Sequence, residues 1–565
     1  MSSNELGNGK LRRSKAEACN DDQQAPLTVI GYGYDALTGL RYTVAEFRNG
    51  KGERVEALIS AKDKAKGEPR IMDILAHSGF NVPGSSKRRR ALVELLDSSV
   101  APDEYVVVSR VGWSEANFCL PTNVYGPKRK RVRLALLDGA ANHWYGSAGG
   151  YEQWREHVAL PCGGNRTLVF GLAFAFAPPL MGICAVESGG FQLTGPSSIG
   201  KTMALTVWGS VWGGGGKDGF ISSWHTTINA VDTEAALHRH VPVFKDEAKL
   251  ADNPGGPKAG EIVAKAVFQY TGGQAKRKQP DREKPVTWDA LFFSSSEVTF
   301  PELAKDANIE LTVGQMARMI DIPADAGKGH GIFETLHDET DAASAANALK
   351  EAAKTHFGTA SDKFLQRLAE DLAKRPKWLK SWVGRRMSLY RKTMPHNNAQ
   401  GPYQRIGDRF ALVYTAGALA VFYDVLPFTR KEILSAVRYC HERAMLDELN
   451  AGINRARSGV DVVRAYLTNS IANFGDADGR DALMDYDSVP GFVNRRCRTP
   501  EILILKDVFD TIVCAGRDPD KVFYDLLTAG YATRHTTGPK HIHRKLPKPF
   551  GRQRVICISG HILKL

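Results

Sequence analysis

The segment Gly195-Pro-Ser-Ser-Ile-Gly-Lys-Thr202 constrains the fold of this chain more than any other part of the sequence. It fills every required position of G-x-x-x-x-G-K-[ST], a loop whose glycines let backbone N–H groups face phosphate oxygens. In such a loop Lys201 reaches the β- and γ-phosphates, and the Thr202 hydroxyl binds Mg²⁺. The predicted nucleotide-binding residues are Gly195, Pro196, Ser197, Ser198, Ile199, Gly200, Lys201 and Thr202.

The residues on either side of this phosphate loop predict the fold class. Gly190–Thr194 is typical of a short buried strand, and Met203–Trp208 of a helix. The phosphates then lie at a helix N-terminus, where free N–H groups and the helix dipole favour anions. Strand, loop and helix in this order predict an α/β core that uses ATP and Mg²⁺.

An acidic pair follows at the end of a second predicted strand, His240–Glu247. Asp246 lies 45 residues after Lys201, which leaves room for a crossover helix. We expect Asp246 to complete the Mg²⁺ shell and Glu247 to orient the attacking water. Lys245 is unusual because buried parallel strands are normally apolar. Either it snorkels to the edge of the site, or hydrolysis is slower than usual.

Two later segments carry further candidate catalytic residues. The predicted strand Asp289–Glu297 ends in polar residues, so Ser294 or Ser295 is a candidate sensor of the γ-phosphate; the alternative is plain capping of the strand end. Arg318 stands inside an apolar run and needs an anion partner. That partner is either in its own chain or is a neighbouring subunit's ATP, which Arg318 would contact as an arginine finger.

A basic, glycine-rich segment between the second and third strands is the candidate DNA contact. Lys276, Arg277 and Lys278 suit a sequence-independent grip on backbone phosphates; the alternative is a solvated hairpin. The formal net charge of +13 favours an acidic partner, with nucleic acid the first candidate.

The length of 565 residues suggests three or four domains, at about 150 residues each. The predicted order is a disordered tail (1–24), a β-rich domain (25–150), the nucleotide-binding core (151–335), a helical lid and bundle (336–474), a linker (475–490) and a winged-helix domain (491–565). The last is predicted from a helix-turn-helix outline followed by a basic hairpin; it binds DNA or contacts protein. Basic residues of this hairpin region are Arg534, Lys540, Arg544, Lys545, Lys548 and Arg552.

Two features bear on where the protein works. The eight cysteines include no C-x-x-C pair, which favours a reducing, cytoplasmic location. The apolar stretch 168–185 has about the length of a membrane span, but Pro178-Pro179 interrupts it and it runs into the phosphate-loop strand. We therefore expect a buried core helix and no membrane partner.

Several strings in the chain together resemble the family called domain of unknown function 927. Members occur in phage, plasmid and cassette-type mobile elements, and some are similar to MCM-like replicative helicases of the AAA+ class. The resemblance extends over about residues 28–560. The strings that carry it are Gly112-Trp113, Ala175–Leu180, Gly195–Thr202, Ser223–Thr227, Ser294–Glu297, Gly314–Arg318 and Gly329–Phe333.

This resemblance implies an AAA+ ATPase core with a β-rich N-terminal domain, a helical lid and a C-terminal winged helix. It implies a homo-hexameric helicase that moves on single-stranded or forked DNA during replication of a mobile element. Arg405 or Arg409 matches the place of a second arginine that faces the γ-phosphate. The alternatives are an ATP-switched initiator or loader without processive unwinding, or more remotely a defence or signalling ATPase.

The chain departs from the family pattern at three positions. Ile199 replaces a usual threonine, Ser296 a usual glycine, and Ala418 an acidic residue that is common in the lid helix. The first two lie beside the predicted nucleotide, so they bear on the rate of hydrolysis more than on the fold.

Overall fold

The computed structural model divides the chain into two compact units, residues 1–444 and 445–565, which we describe separately. No helix in the described part of the chain is both long and apolar enough to cross a membrane. The described residues are 27–101, 103–135, 145–215, 219–224, 228–251, 256–275, 286–393, 401–448, 459–471, 474–478, 489–496, 499–514, 518–532, 541–548 and 550–563.

The first unit begins with two β-sheets. Their strands are β1 (Thr28–Asp35), β2 (Arg41–Arg48), β3 (Arg54–Ser60), β4 (Asp103–Val108), β5 (Gly112–Ser114), β6 (Asn117–Cys119), β7 (Val124–Tyr125) and β8 (Val132–Leu134). One sheet has the order β3-β2-β1-β4-β8, and the other β5-β6-β7. Three helices lie between β3 and β4, namely α1 (Ala61–Ala65), α2 (Glu68–His77) and α3 (Ser86–Ser98). Leu75 and Leu96 pack these helices against the first sheet through one apolar cluster.

Gly112 and Trp113 join the small sheet to the rest of the unit. Gly112 has φ +89°, and a Cβ there would stand 2.6 Å from the Arg239 carbonyl oxygen, so the close approach requires glycine. The Trp113 indole Nε1 donates to the Pro179 carbonyl at 2.7 Å.

The core of the first unit is a five-stranded parallel sheet. Its strands are β9 (Gly189–Thr194), β10 (Ile221–Ser223), β11 (Pro242–Asp246), β12 (Leu291–Ser296) and β13 (Met319–Pro323). Their order is β10-β11-β12-β9-β13, so the chain passes across β9 on its way from β12 to β13. This reversal makes the carboxyl end of β9 a topological switch point, where open α/β sheets bind ligands.

Helices cover this parallel sheet. They are α4 (Tyr151–Trp154), α5 (Arg166–Ala175), α6 (Pro178–Met181), α7 (Lys201–Gly209), α8 (Ile228–Leu237), α9 (Ala259–Gly272), α10 (Phe300–Asp306) and α11 (Val313–Met316). The apolar stretch 168–185 contains most of α5 and all of α6, and its residues 168–181 are buried, as predicted. Phe170 and Phe174 of α5 meet Phe191 and Phe293 of the sheet edge to face, with ring centroids 5.1–6.1 Å apart.

Residues after the sheet are helical, as their composition predicted. The helices are α12 (Ala342–Thr355), α13 (Thr359–Lys374), α14 (Pro376–Thr393), α15 (Pro402–Phe422) and α16 (Arg430–Glu448). α15 packs on α5, where Gly417 lies so close to Ala173 that a Cβ would stand 2.7 Å from its methyl carbon. This contact attaches the helical part directly to the nucleotide-binding core.

The described residues of the second unit form a five-stranded sheet and three α-helices. They are β14 (Gly475–Asp476), β15 (Gly491–Asn494), β16 (Glu501–Leu505), β17 (Ile542–Lys545) and β18 (Arg552–Ser559), with α17 (Gly459–Ser470), α18 (Lys506–Val508) and α19 (Pro519–Thr528). The sheet order is β14-β15-β16-β18-β17. Asp518 caps α19 by accepting from the Asp520 N–H at 2.9 Å, and Gly530 follows the helix with φ +75°. α18 continues into a π-helical turn over 509–513.

Candidate nucleotide-binding site

The phosphate loop leaves β9 at the carboxyl end of the parallel sheet and enters α7. Gly195, Ser198 and Gly200 have φ of +140°, +65° and +98°, which curl the backbone between strand and helix. Gly200 is the N-cap residue of α7 and offers no side chain to its first N–H groups. These groups are therefore free to bind an anion.

Lys201 is held against its own loop. Its side chain is buried, and Nζ donates to the carbonyl oxygens of Gly195 at 2.7 Å and Pro196 at 2.6 Å. Burial lowers the pKa of Lys201, while the charges of Glu247 and two other carboxylates oppose that shift. A triphosphate would offer this ammonium charged oxygens in place of neutral carbonyls, a stronger kind of hydrogen bond.

Thr202 and Ser295 meet at the Asp246 carboxylate. Asp246 Oδ1 accepts from Thr202 Oγ1 at 3.2 Å and from Ser295 Oγ at 2.6 Å. Ser295 Oγ also accepts from the Glu247 backbone N–H at 2.9 Å. One hydroxyl and one carboxylate beside a phosphate loop are the oxygen donors that Mg²⁺ uses together with substrate phosphates, so these residues fit a magnesium–nucleotide complex.

Glu247 sits in a strained and desolvated position. Its φ of +52° lies in the left-handed region, which costs a non-glycine residue about 1–3 kcal/mol and is concentrated at functional sites. Its Oε1 is buried without a hydrogen-bond partner among the described residues. Burial raises the pKa of this carboxyl, and the Lys201 charge only partly offsets the effect. A carboxylate in this state is suited to accept a proton or a water hydrogen.

Ser294 faces away from the acidic pair, because successive residues of a strand point to opposite sides of the sheet. Its Oγ accepts from Trp224 Nε1 at 2.8 Å and donates to Gln192 Oε1 at 3.2 Å. Gln192 in turn donates to Asp321 at 2.8 Å. Of the two predicted sensors, the structure therefore brings Ser295 to Asp246 and Ser294 into a buried polar network.

Lys245 does not snorkel to the edge of the site, which was one of the two alternatives for this residue. Its side chain is 1% exposed, and Nζ lies 2.7 Å from Glu234 Oε2 of α8. Ser222 and Tyr270 also donate to the Glu234 carboxylate, at 2.7 and 2.5 Å. The lysine is accommodated because a buried carboxylate on the neighbouring helix neutralises it.

The three candidate arginines lie at the amino end of the sheet, away from the phosphate loop of their own chain. The Arg318 carbonyl accepts from the Gly190 N–H at 2.8 Å, and the Arg409 guanidinium packs over Gly189. Arg405 Nε lies 3.3 Å from Glu187 Oε2. Since β9 rises about 3.3 Å per residue, roughly 16 Å separate this end from Gly195.

Arg318 has no anionic partner within the described residues, although its apolar surroundings predict one. Its Nη1 donates to the Thr271 hydroxyl at 3.1 Å, and its guanidinium lies 5.5 Å from the Phe268 ring centroid. No carboxylate in the described part of the chain lies within ion-pair distance of it. Arg409 is 2% exposed, whereas the Arg405 side chain is 48% exposed.

The candidate DNA-contact residues Lys276, Arg277 and Lys278 lie outside the described residues. On either side of them, Gln274 and Thr287 form an antiparallel bridge. Of the string Ser223–Thr227, only Ser223 and Trp224 are described.

Sequence reasoning missed a second glycine-rich segment that lies against the phosphate loop. The Ile332 N–H donates to the Ile199 carbonyl at 3.0 Å, and a Cβ on Gly331 would stand 2.7 Å from the same oxygen. Arg443 of α16 reaches this edge too, donating to the Asp325 carbonyl at 2.6 Å. The string Gly329–Phe333 was part of the family resemblance, but no local pattern placed it beside Ile199.

Comparisons with known proteins agree with a helicase-like α/β fold. The model of the family called domain of unknown function 927 matches residues 13–279, so the strings after residue 279 fall outside the match. The solved structure of the SCCmec type IV Cch active helicase aligns over 96% of this chain and 95% of its own, with a TM-score of 0.56 and 17% identity. This match shows a shared fold.

Two other comparisons show no further relationship for this chain. The apo A form of the NrS-1 C-terminal region aligns over 74% of this chain and 91% of its own at 11% identity, but its TM-score is 0.24. A search of curated proteins finds no match to the sequence.

Proposed function

We propose that the protein is an ATP- and Mg²⁺-dependent DNA helicase of the AAA+ class, which forms a homo-hexameric ring and serves replication of a mobile element. The observation that carries the proposal is the contact of Thr202, at the end of the phosphate loop, with Asp246, at the end of β11. The fold shared with an active helicase supports nucleic acid as the partner.

The strand order supports ATP hydrolysis at this edge of the sheet. β12 lies between the phosphate-loop strand β9 and the acidic strand β11. A side chain at the carboxyl end of β12 is therefore next to both the terminal phosphate and the acidic pair. Ser295 occupies that place.

Each residue of the site has a distinct part in the proposed reaction. Lys201 exchanges its loop carbonyls for the β- and γ-phosphates, while Thr202 and Asp246 would hold a Mg²⁺ ion, which would supply positive charge to the phosphates. Glu247 orients the water that attacks the γ-phosphate, through a carboxylate whose Oε1 is available for it. Ser295 fixes Asp246 and the Glu247 backbone relative to one another.

The arginines support assembly into a ring. Arg318 and Arg405 lie too far from their own phosphate loop, so we propose that they contact the nucleotide of the adjacent subunit. Arg405 suits this part better than Arg409, because Arg409 is almost fully buried beneath Gly189. Lys276, Arg277 and Lys278 then grip the DNA strand as the ring moves.

The test uses the full chain and two substitutions in the site. Lys201→Ala is expected to abolish ATP hydrolysis, and Glu247→Gln to retain ATP binding while stopping turnover. Lys377→Ala, an exposed lysine of α14, is the control and keeps both activities. Displacement of a labelled strand from tailed DNA forks is expected for the native chain and for neither site variant. An absence of nucleotide binding by the native chain would refute the proposal.

The second candidate function is an ATP-switched initiator or loader. It is favoured by the second unit, whose basic hairpin offers a DNA contact apart from the motor core. This function predicts ATP-dependent binding to specific DNA with no strand displacement from forks. The same fork assay, run beside mass measurement with and without nucleotide, separates the two functions.

A further inference from the structure

The hairpin β17–β18 at the edge of the second unit collects positive charge on one of its faces. The strands pair antiparallel with His543 opposite Arg554 and Lys545 opposite Arg552. Directly opposite residues share a face, and residues two apart along a strand do as well. This face of the hairpin therefore carries a patch of four basic residues, which we call the cationic face: His543, Lys545, Arg552 and Arg554.

The other face of the hairpin packs on the unit's core. Val555 and Leu546 are buried there, and Ile542 packs on the same apolar cluster. Phe550 fixes the turn by an edge-to-face contact with Phe492, with centroids 5.2 Å apart. All four residues of the cationic face are exposed to solvent.

The described residues supply no counter-charge to the cationic face. Within the described residues, no carboxylate lies within 4.0 Å of Lys545, Arg552 or Arg554. The carboxylates nearby are engaged elsewhere, since Glu501 lies 3.8 Å from Arg544 on the opposite face and Asp510 pairs with Lys506. Like charges directly opposite each other, as in Lys545–Arg552, destabilise a hairpin.

Protection of an exposed sheet edge does not account for this arrangement. A lysine on an edge strand deters pairing with other chains, and β17 is an edge strand. However, Arg552 and Arg554 lie on the neighbouring strand β18, directly opposite Lys545 and His543, where they add a like-charge repulsion that protection of β17 does not require. An anionic partner explains both strands.

We propose that the cationic face binds the phosphate backbone of DNA, apart from the nucleotide site and from Lys276–Lys278. Cations two residues apart on a strand are about 6.8 Å apart, and duplex DNA carries one negative charge per about 1.7 Å of its axis. The patch therefore meets several phosphates at once, and arginine forks suit phosphate oxygens. The face carries no apolar side chain to insert into a bilayer, which favours DNA over an anionic membrane.

The first test measures the salt dependence of DNA binding by the full chain without nucleotide, so that its outcome does not depend on ATP hydrolysis. Lys545→Ser/Arg552→Ser is compared with Lys521→Ser/Arg544→Ser, which removes the same charge from α19 and from the other face. For a 20-mer duplex, the slope of log K against log salt is expected to lose about 1.8 with the first pair, at about 0.9 per phosphate, and for a single strand about 1.4. Equal slopes for the two pairs on both DNAs would overturn the proposal.

The second test detects the contact at a single residue. Lysine acetylation followed by mass spectrometry is expected to show Lys545 protected by either DNA, at least threefold more than Lys521 in the same sample. Vesicles of anionic lipid are the comparison and are expected to leave Lys545 reactive. Protection by vesicles but not by DNA, or no protection at all, would overturn the proposal.

Discussion

The buried pair Lys245–Glu234 gives a prediction whose size and pH dependence both follow from the structure. In the native chain, burial alone would raise the pKa of Glu234, but the charge and hydrogen bond of Lys245 hold it below its ordinary value. Lys245→Met removes that charge and leaves the carboxylate buried beside His238 and two neutral donors, Ser222 and Tyr270. Breaking such a pair costs about 3–5 kcal/mol.

Protonation of Glu234 in the folded variant limits the loss of unfolding free energy to a value near the low end of that range of about 3–5 kcal/mol. A carboxyl whose ordinary pKa is 4.5 can take up a proton at pH 7 at a cost of about 3.4 kcal/mol, at 1.36 kcal/mol per pH unit. The folded variant then binds one more proton than the unfolded chain, so its stability rises as pH falls towards 4.5. The loss relative to the native chain is expected to shrink from about 3.4 kcal/mol at pH 7 to about 1.4 at pH 5.5.

Urea unfolding followed by tryptophan fluorescence measures this loss, because buried Trp224 has the Lys245 ammonium 6.0 Å from its ring. The control is Lys245→Met/Glu234→Gln, in which the neutral amide still accepts from Ser222 or Tyr270. Its stability is expected to show no added pH dependence. A single-variant loss that stays constant between pH 5.5 and 7, or that the second substitution does not reduce, would refute the reasoning.

Four further outcomes are expected. Ser295→Ala should lower kcat about 10–100-fold, because it releases Asp246 and the Glu247 backbone. Ser294→Ala should leave kcat near native and reduce the free energy of unfolding by about 1–3 kcal/mol, because the Trp224 N–H loses its acceptor. The reverse pattern in ATPase and unfolding assays would contradict the placement of the two serines. Arg318→Ala should lower kcat about 10³-fold or more. Mixing the Arg318→Ala and Lys201→Ala variants should restore activity, because some interfaces between subunits then combine an intact Lys201 with an intact Arg318. No recovery on mixing would argue against action between subunits. Burial raises the pKa of Glu247, so the acid-side midpoint of the kcat/KM pH profile should lie above pH 4.5, and kcat/KM should rise as pH increases through that midpoint. A midpoint at or below pH 4.5 would exclude Glu247 as the titrating group. Lys276→Ala/Arg277→Ala should keep basal ATPase and lose fork unwinding; normal unwinding would remove these residues from the DNA contact.

Local chemistry explains why some of the site could be predicted. The phosphate loop and the following helix depend on glycine freedom and on helix termini, which neighbouring residues encode. Asp246 was predictable because a carboxylate at the end of a buried strand has few other uses. The choice between Ser294 and Ser295 was open, because it depends on which side of β12 faces the loop, and a one-residue shift exchanges the two sides.

Long-range pairing explains what sequence reasoning left open or had wrong. The partner of Lys245 is Glu234, which lies on a different element, and no spacing in the chain connects the two. The distance of Arg318 and Arg409 from their own phosphate loop has two causes: β13 starts beside the amino end of β9, and Arg409 of α15 packs against Gly189. The segment Gly329–Phe333 lies at the site because the chain after β13 folds back against Ile199.

The sequence by itself determined that this chain carries a phosphate loop, an acidic strand end and helical and basic segments after them, because each rests on contacts between residues near in the chain. Only the tertiary structure decided which groups share the site: Ser295 beside Asp246, Glu234 beneath Lys245, and the arginines at the far end of the sheet. The physical reason is that strand order and the side of each strand are set by burial of the whole sheet, which no local segment specifies.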